Sequence, residues 1–212
     1  MKRKTAALVI PAIAVSLGVA AYSRSAGGTT AAPRAAGVPS RAAAVSYARV
    51  AAAPPAPAAL ASNPRVQAMA RLTGLDPRAL RQIHAPDQPL GALLAGRNAA
   101  GDVCVAEAND DAAGSFECDV FRDGPLHLIA GSRGTPSHTT WSGFLGVVDA
   151  SVRRLSVRTA GGFDYDVPIN EAGGFSYGAS DASLFPVELS VYAAGGRLVL
   201  STPLPRAASP LD

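Results

Sequence analysis

Apolar positions along the chain fall into three regimes, and each predicts a different kind of structure. Between Ala6 and Tyr22 they form one unbroken run, AALVIPAIAVSLGVAAY. Between Asn63 and Pro86 they recur at helical spacing. From Gly91 onward they alternate with polar residues in short segments punctuated by glycine.

The last regime carries most of the fold. Ten segments read as strands: GALLAGR, DVCVAEA, SFECDVF, PLHLIAG, TTWSGFLGVV, RRLSVRT, FDYDVPI, GFSYG, PVELSVYA and RLVLSTPL. Short alternating runs with a turn signal every 8–12 residues or so point to an antiparallel β-sandwich, Ig-like or barrel-like, over 91–204. Side-chain pairing predicts local register. A three-residue loop, Ala160-Gly161-Gly162, sets Leu155 opposite Val167 and Val157 opposite Tyr165; a two-residue loop would set Asp and Pro against those apolar positions. A two-residue loop at Gly195-Gly196 sets Val191 opposite Leu200 and Ala193 opposite Leu198.

The helical regime predicts a hairpin over 63–86. Asn63 caps with Pro64 behind it, Val66, Met69, Ala70 and Leu72 form an apolar face, and Gly74 ends the first helix. Asp76 and Pro77 repeat the signal, with Leu80 and Ile83 inward before Pro86. The pair overlaps a helix-turn-helix pattern, and Arg65, Arg71, Arg78 and Arg81 supply positive charge. An export signal upstream argues against a nucleic-acid partner, so the hairpin reads as a packing or lid element.

Residues 23–62 separate this unit from the N-terminal run and are rich in Ala and Pro. Pro33, Pro39, Pro54, Pro55 and Pro57 interrupt helices, and alanine buries little area against the entropy of ordering, so 23–62 reads as a disordered spacer. Within it 42–53 reads as no more than a transient helix. Such a spacer reaches on the order of 100 Å when extended.

Composition changes the picture in one respect. Of 212 residues 48% are nominally hydrophobic, but 44 residues are alanine and 30 of those precede residue 101, so apolar content overstates the core of the first half. The formal charge of +3 is likewise uneven: residues 1–101 carry +10 and 102–212 carry −7. Lys2, Arg3 and Lys4 stand directly before the apolar run, and Val19, Ala20 and Ala21 after it are small, the pattern of an export signal. Residues 1–22 are therefore a signal peptide or an N-terminal membrane anchor, and both place the rest outside the cytoplasm. The run spans roughly 25 Å as a helix, against a ~30 Å hydrocarbon core. No Cys follows it, which excludes a lipoprotein anchor.

Cys104 and Cys118 are the two cysteines, symmetric about Asp111 in GDVCVAEANDDAAGSFECDVF. Hairpin pairing sets them opposite one another, and export favours oxidation to a disulfide. A metal or redox pair lacks support, with neither CxxC nor a nearby His.

The segments VCVAEA and FECDVF, GFLGVVDASVRRLSVRT, GGFSYG and PVELSVYAAGGRLV resemble small exported or anchored β-domain proteins of actinobacteria. The resemblance covers about 91–200 and rests on the Cys hairpin, the GVVD-x-x-V-x-R-L step and the GGFSY strand. It implies a secreted or surface-anchored domain, and carries no catalytic residue.

Candidate chemistry is sparse. The histidines are His84, His127 and His138. A hydrolase would combine His138 with Ser132 or Ser137 and with Asp123 or Asp149, but GSRG at Gly131 is not a nucleophile elbow. Asp164 and Asp166 alternate on one strand face and read as a solvated face more readily than as a catalytic carboxylate pair. Glu107, Asp110, Asp111, Glu117 and Asp119 surround the Cys hairpin; NDDAAG opens like a calcium loop, yet Ala113 and Val120 stand where completing ligands belong. Trp141 reads as core filler before it reads as a sugar platform. The sequence thus predicts an exported, non-catalytic β-domain with no cofactor and no metal, its partner an envelope protein or glycan, touching membrane only through its N-terminal segment. An extracytoplasmic hydrolase using His138 is the alternative.

Overall fold

The computed structural model describes residues 41–86, 90–109, 114–135 and 138–205. The N-terminal segment expected to direct export, the spacer up to residue 40 and the tail from residue 206 lie outside the described residues. Three helices come first: α1 (Arg41–Ala52), α2 (Ala58–Ala61) and α3 (Pro64–Leu72). Eleven strands follow: β1 (Arg81–His84), β2 (Ala92–Arg97), β3 (Val103–Ala108), β4 (Glu117–Cys118), β5 (Leu126–Thr135), β6 (His138–Val148), β7 (Val152–Thr159), β8 (Asp164–Val167), β9 (Gly174–Ala179), β10 (Pro186–Ala193) and β11 (Leu198–Pro203).

All strand pairs are antiparallel, in three sheets ordered β1-β2-β3-β4, β5-β6-β9 and β11-β10-β7-β8. The fold is mainly β, with one more sheet than a simple two-sheet sandwich. Side-chain alternation explains the stacking. On β2, Ala92 and Leu94 join the cluster containing Leu60, Val66 and Ala70, whereas Leu93 and Ala95 join the one containing Val50, Leu145 and Val147. On β6, Leu145 and Val147 face that second cluster, and Phe144 and Val148 face a third with Leu155, Val157, Leu189 and Val191. The layers are therefore α2 and α3, first sheet, second sheet and third sheet, with α1 packed through Val50 into the core between the first and second sheets. Strands β2 and β6 are buried on both faces, which is why ALLAG is continuously apolar where a half-solvated strand would alternate.

Within the third sheet the predicted register holds at Ala160-Gly161-Gly162: Leu155 pairs Val167, Val157 pairs Tyr165, and Gly162 takes φ +82°. At the other hairpin Val191 pairs Leu200 as expected, but a bulge then sets Tyr192, not Ala193, against Leu198. Gly195 and Gly196 both take positive φ, and Ala193 N donates to the Arg197 carbonyl at 2.9 Å, which closes a longer turn than two residues.

Two expectations need correction. The second helix of the predicted hairpin is a single turn at Pro77–Ala79 followed by β1. Asp76 does cap that turn, accepting from Arg78 N at 2.9 Å. Leu80 and Ile83, three apart, would share a face on a helix, but they fall into clusters on opposite sides of the first sheet, as strand geometry requires. With Pro86 limiting length, pairing along β2 outcompetes a short helix whose nucleation is unfavourable. The spacer likewise ends earlier than predicted. From Arg41 the chain is helical, and Val50, Ala53 and Leu60 are buried. Arg49 donates to the carbonyls of Glu171, Asp149 and Asn170 at 3.1–3.4 Å, and Tyr47 lies under the Arg97 guanidinium at 4.5 Å. Alanine's high helix propensity forms α1, and docking supplies the apolar contact its composition lacks. The first helix of the hairpin is as expected, with the Asn63 side chain accepting from Arg65 N at 2.9 Å.

Cys104 pairs Cys118 across β3 and β4, with the sulfurs at disulfide distance, 2.06 Å. The crosslink closes a separation of 14 residues, so Cys104→Ala with Cys118→Ala is expected to lower unfolding free energy by about 3 kcal/mol. Urea titration of the double variant against the oxidised protein measures it; equal midpoints would contradict it.

Candidate functional site

The residues proposed from sequence do not converge. His138 opens β6 opposite Thr135, whereas Asp149 follows the far end of β6, roughly 33 Å away at ~3.3 Å per residue. Asp123 precedes β5 near that same far end, since Leu126 pairs Val148. Asp149 is also engaged, its Oδ1 accepting from Ser151 N and Oγ at 2.7 and 2.6 Å. Ser132 pairs Ser142, nearer His138, and Ser137 lies outside the described residues. The structure therefore separates His138 from both carboxylates that a hydrolase would use.

His84 sits on β1 with Nδ1 2.6 Å from the Ala85 carbonyl oxygen. His127 pairs Val147 on β5, and its Nδ1 is 3.9 Å from the Glu117 carboxylate. Its Nε2 is buried and has no hydrogen-bond partner among the described residues. Burial pushes the imidazole pKa below its ordinary value, with Glu117 pulling weakly the other way. The unfolded chain therefore binds a proton more readily, so stability associated with His127 is full above about pH 6.5 and declines as pH falls below it. His127→Gln is expected to flatten thermal stability between pH 7 and 5; an unchanged slope would contradict it.

Three of the five carboxylates around the Cys hairpin have structural partners. Glu107 accepts from Gly91 N at 2.8 Å, Asp119 binds Arg122 at 2.6 Å, and Glu117 faces His127. Asp110 and Asp111 lie outside the described residues, and among those described no group of three His, Cys, Asp or Glu side chains is arranged for a metal. Trp141 is half-buried at the rim between the first and second sheets, outside the core facing the third. Its indole lies over Gly143 and Gly178, where an added Cβ would come within 2.6 Å of the ring.

One surface does gather chemistry. The outer face of the third sheet holds Arg154, Ser156 and Arg158 from β7, Asp164 and Asp166 from β8, and Glu188, Ser190 and Tyr192 from β10. These positions alternate with Leu155, Val157, Leu189 and Val191, which bury the other face, so core packing fixes where the polar groups stand. They line a shallow depression of about 340 Å³. Arg158 bridges Asp164 at 3.2 Å and Glu188 at 3.7 Å. Its hydrogen bond to Asp164, then the charges of Asp164 and Glu188, hold its pKa above the ordinary value. Arg154 lies 3.8 Å from Asp166 and stacks over the Tyr192 ring at 4.3 Å. Ser201 on β11 donates to Glu188. The chain matches no family model, no curated protein and no solved structure. Among the described residues no helix is long and apolar enough to cross a membrane.

Sequence reasoning had placed Asp164 and Asp166 together on a solvated face, and both are exposed there. It missed Arg154, Arg158, Glu188 and Tyr192 as their companions. The alternating pattern carried part of the signal, because every second residue of RRLSVRT and PVELSVYA is polar or aromatic. The pairing of β7 with β10, about thirty residues apart, was not available to it.

Proposed function

We propose that this chain is an exported, non-catalytic domain, secreted or held at the cell envelope by its N-terminal segment, which binds a partner through the polar face of the third sheet. The observation that carries the reading is the set of donors and acceptors fixed on one face of β7, β8 and β10. The dispersal of His84, His127 and His138 supports binding over hydrolysis, since a hydrolase needs base, nucleophile and carboxylate in one cleft. The basic-then-apolar N-terminus and the cysteine pair support export. The resemblance of 91–200 to exported actinobacterial β-domains supports the same setting.

A glycan fits this face better than a polyion. Two arginines face three carboxylates, so neither sign dominates, while hydroxyls, guanidinium groups and carboxylates supply the mixed hydrogen bonding that sugar hydroxyls take. An array of neutral and acidic oligosaccharides probed with the chain from residue 23 onward should show retention that Arg158→Gln and Tyr192→Ala abolish. Retention of no glycan, or retention indifferent to both substitutions, would overturn the glycan assignment. Export is tested separately: a phosphatase reporter fused after Asp212 should be active and a cytoplasmic reporter there silent.

A further inference from the structure

Among the described residues five large apolar side chains are exposed, and single ones on a surface are ordinary. Val45, Leu72 and Leu198 stand on three different elements. Phe163 and Tyr165 stand together, 54% and 41% exposed, with ring centroids 6.4 Å apart. Side chains alternate along β8, so residues 163 and 165 share one side of it while Asp164 and Asp166 take the other. The side of Tyr165 is the inner one, where it pairs the buried Val157. Because β8 is the last strand of the third sheet, the Tyr165 ring still reaches solvent there.

Both rings are held. Phe163 lies against Gly161, where an added Cβ would stand 3.0 Å from the ring. Its N donates to Thr159 Oγ1 at 3.3 Å, and its carbonyl accepts from Thr159 N at 2.9 Å. Tyr165 lies 6.5 Å from Tyr177, which stacks on Phe144 in the core at 5.7 Å and donates to the Leu184 carbonyl. A ring fixed in advance loses little freedom when a ligand covers it.

These rings supply what the polar face lacks. A sugar ring carries hydroxyls around its rim and, where its substituents are equatorial, polarised C–H groups on its faces. The negative face of an aromatic ring attracts such groups. Tyr192 is the aromatic of the depression, and the Arg154 guanidinium covers it at 4.3 Å. Phe163 and Tyr165 stand across one strand edge from Asp164 and Asp166 of that depression.

We infer that Phe163 and Tyr165 form a stacking subsite for one sugar ring of a glycan that passes over the β8 edge onto the polar face. The inference rests on the glycan reading above and narrows it. The ligand is an oligosaccharide, since one sugar ring does not reach both sides of β8. It contains equatorially substituted pyranoses, of which β-linked glucose and N-acetylglucosamine are the probes.

Calorimetric titration of the chain from residue 23 onward with both sugars, each as monosaccharide and as hexamer, tests the subsite. At least one hexamer should bind, and neither monosaccharide. Phe163→Ala and Tyr165→Ala should each weaken hexamer binding about five- to tenfold, the worth of one aromatic contact, with the fold kept as judged by thermal unfolding. Tyr165→Phe keeps the ring and should bind as wild type, whereas Phe163→Leu keeps apolar bulk alone and should be as weak as Phe163→Ala. Hexamer binding that Arg158→Gln abolishes but both ring truncations leave intact would overturn the subsite and keep the polar face. Full binding by Phe163→Leu, a monosaccharide as tight as its hexamer, or hexamers ignored while other glycans are retained would each overturn the subsite too. Self-association that Phe163→Ala abolishes, read by sedimentation without ligand, would assign the rings to a second copy instead. Retention of no glycan at all would remove the polar-face reading along with the subsite.

Discussion

A chain that begins at Asn63 is expected to be far less stable than one that begins at Arg41. The shorter chain loses Val50 and Leu60, both buried, and with them roughly 3–6 kcal/mol of apolar burial. It also loses the three bonds from Arg49 to the carbonyls of Glu171, Asp149 and Asn170, and the cover that Pro54 and Ala56 give to β1. Domains of this size are stable by only about 5–15 kcal/mol, so the truncation removes a large share. Denaturant midpoints of the two fragments measure it directly. Limited proteolysis gives a second reading, with the resistant core starting near Arg41. Equal midpoints for the two fragments would return the boundary to Asn63.

That boundary shows where sequence was informative and where it was not. Strands with one solvated face were legible because their alternation is local: Leu155, Val157 and Val167 announce both strand and register within thirteen residues. Cys104 and Cys118 were legible for the same reason. The misread elements all depend on partners distant in sequence. Helix α1 has too little apolar area to hold by itself, and docks only because Ile83 and Leu93 share a cluster with Val50. Leu80 and Ile83 fit helical spacing as well as strand spacing, and the free edge of β2 decides between them. The polar face is half legible in this sense, with Asp164 and Asp166 visible as a pair. Their cationic partners follow from register on β7, and Glu188 from the pairing of β7 with β10.

The same reasoning predicts how the layers unfold. Phe144 and Leu145 are neighbours on β6 and both fully buried, yet they serve different interfaces. Phe144 meets Phe175 edge-on at 6.1 Å and stacks on Tyr177 at 5.7 Å, within the core facing the third sheet. Leu145 packs in the cluster with Leu93, Val105 and Val50, facing the first sheet and α1. Truncation leaves a cavity in either case, so Phe144→Ala is expected to cost about 3–5 kcal/mol and Leu145→Ala about 2–5 kcal/mol. Because β6 is the strand common to both interfaces, each substitution should lower one shared transition. Tyrosine fluorescence, weighted toward the third-sheet core through Tyr177, and Trp141 fluorescence, at the rim of the other interface, should report the same midpoint in each variant. Two midpoints, with Phe144→Ala shifting only the tyrosine signal and Leu145→Ala only the tryptophan signal, would show that the two interfaces unfold independently.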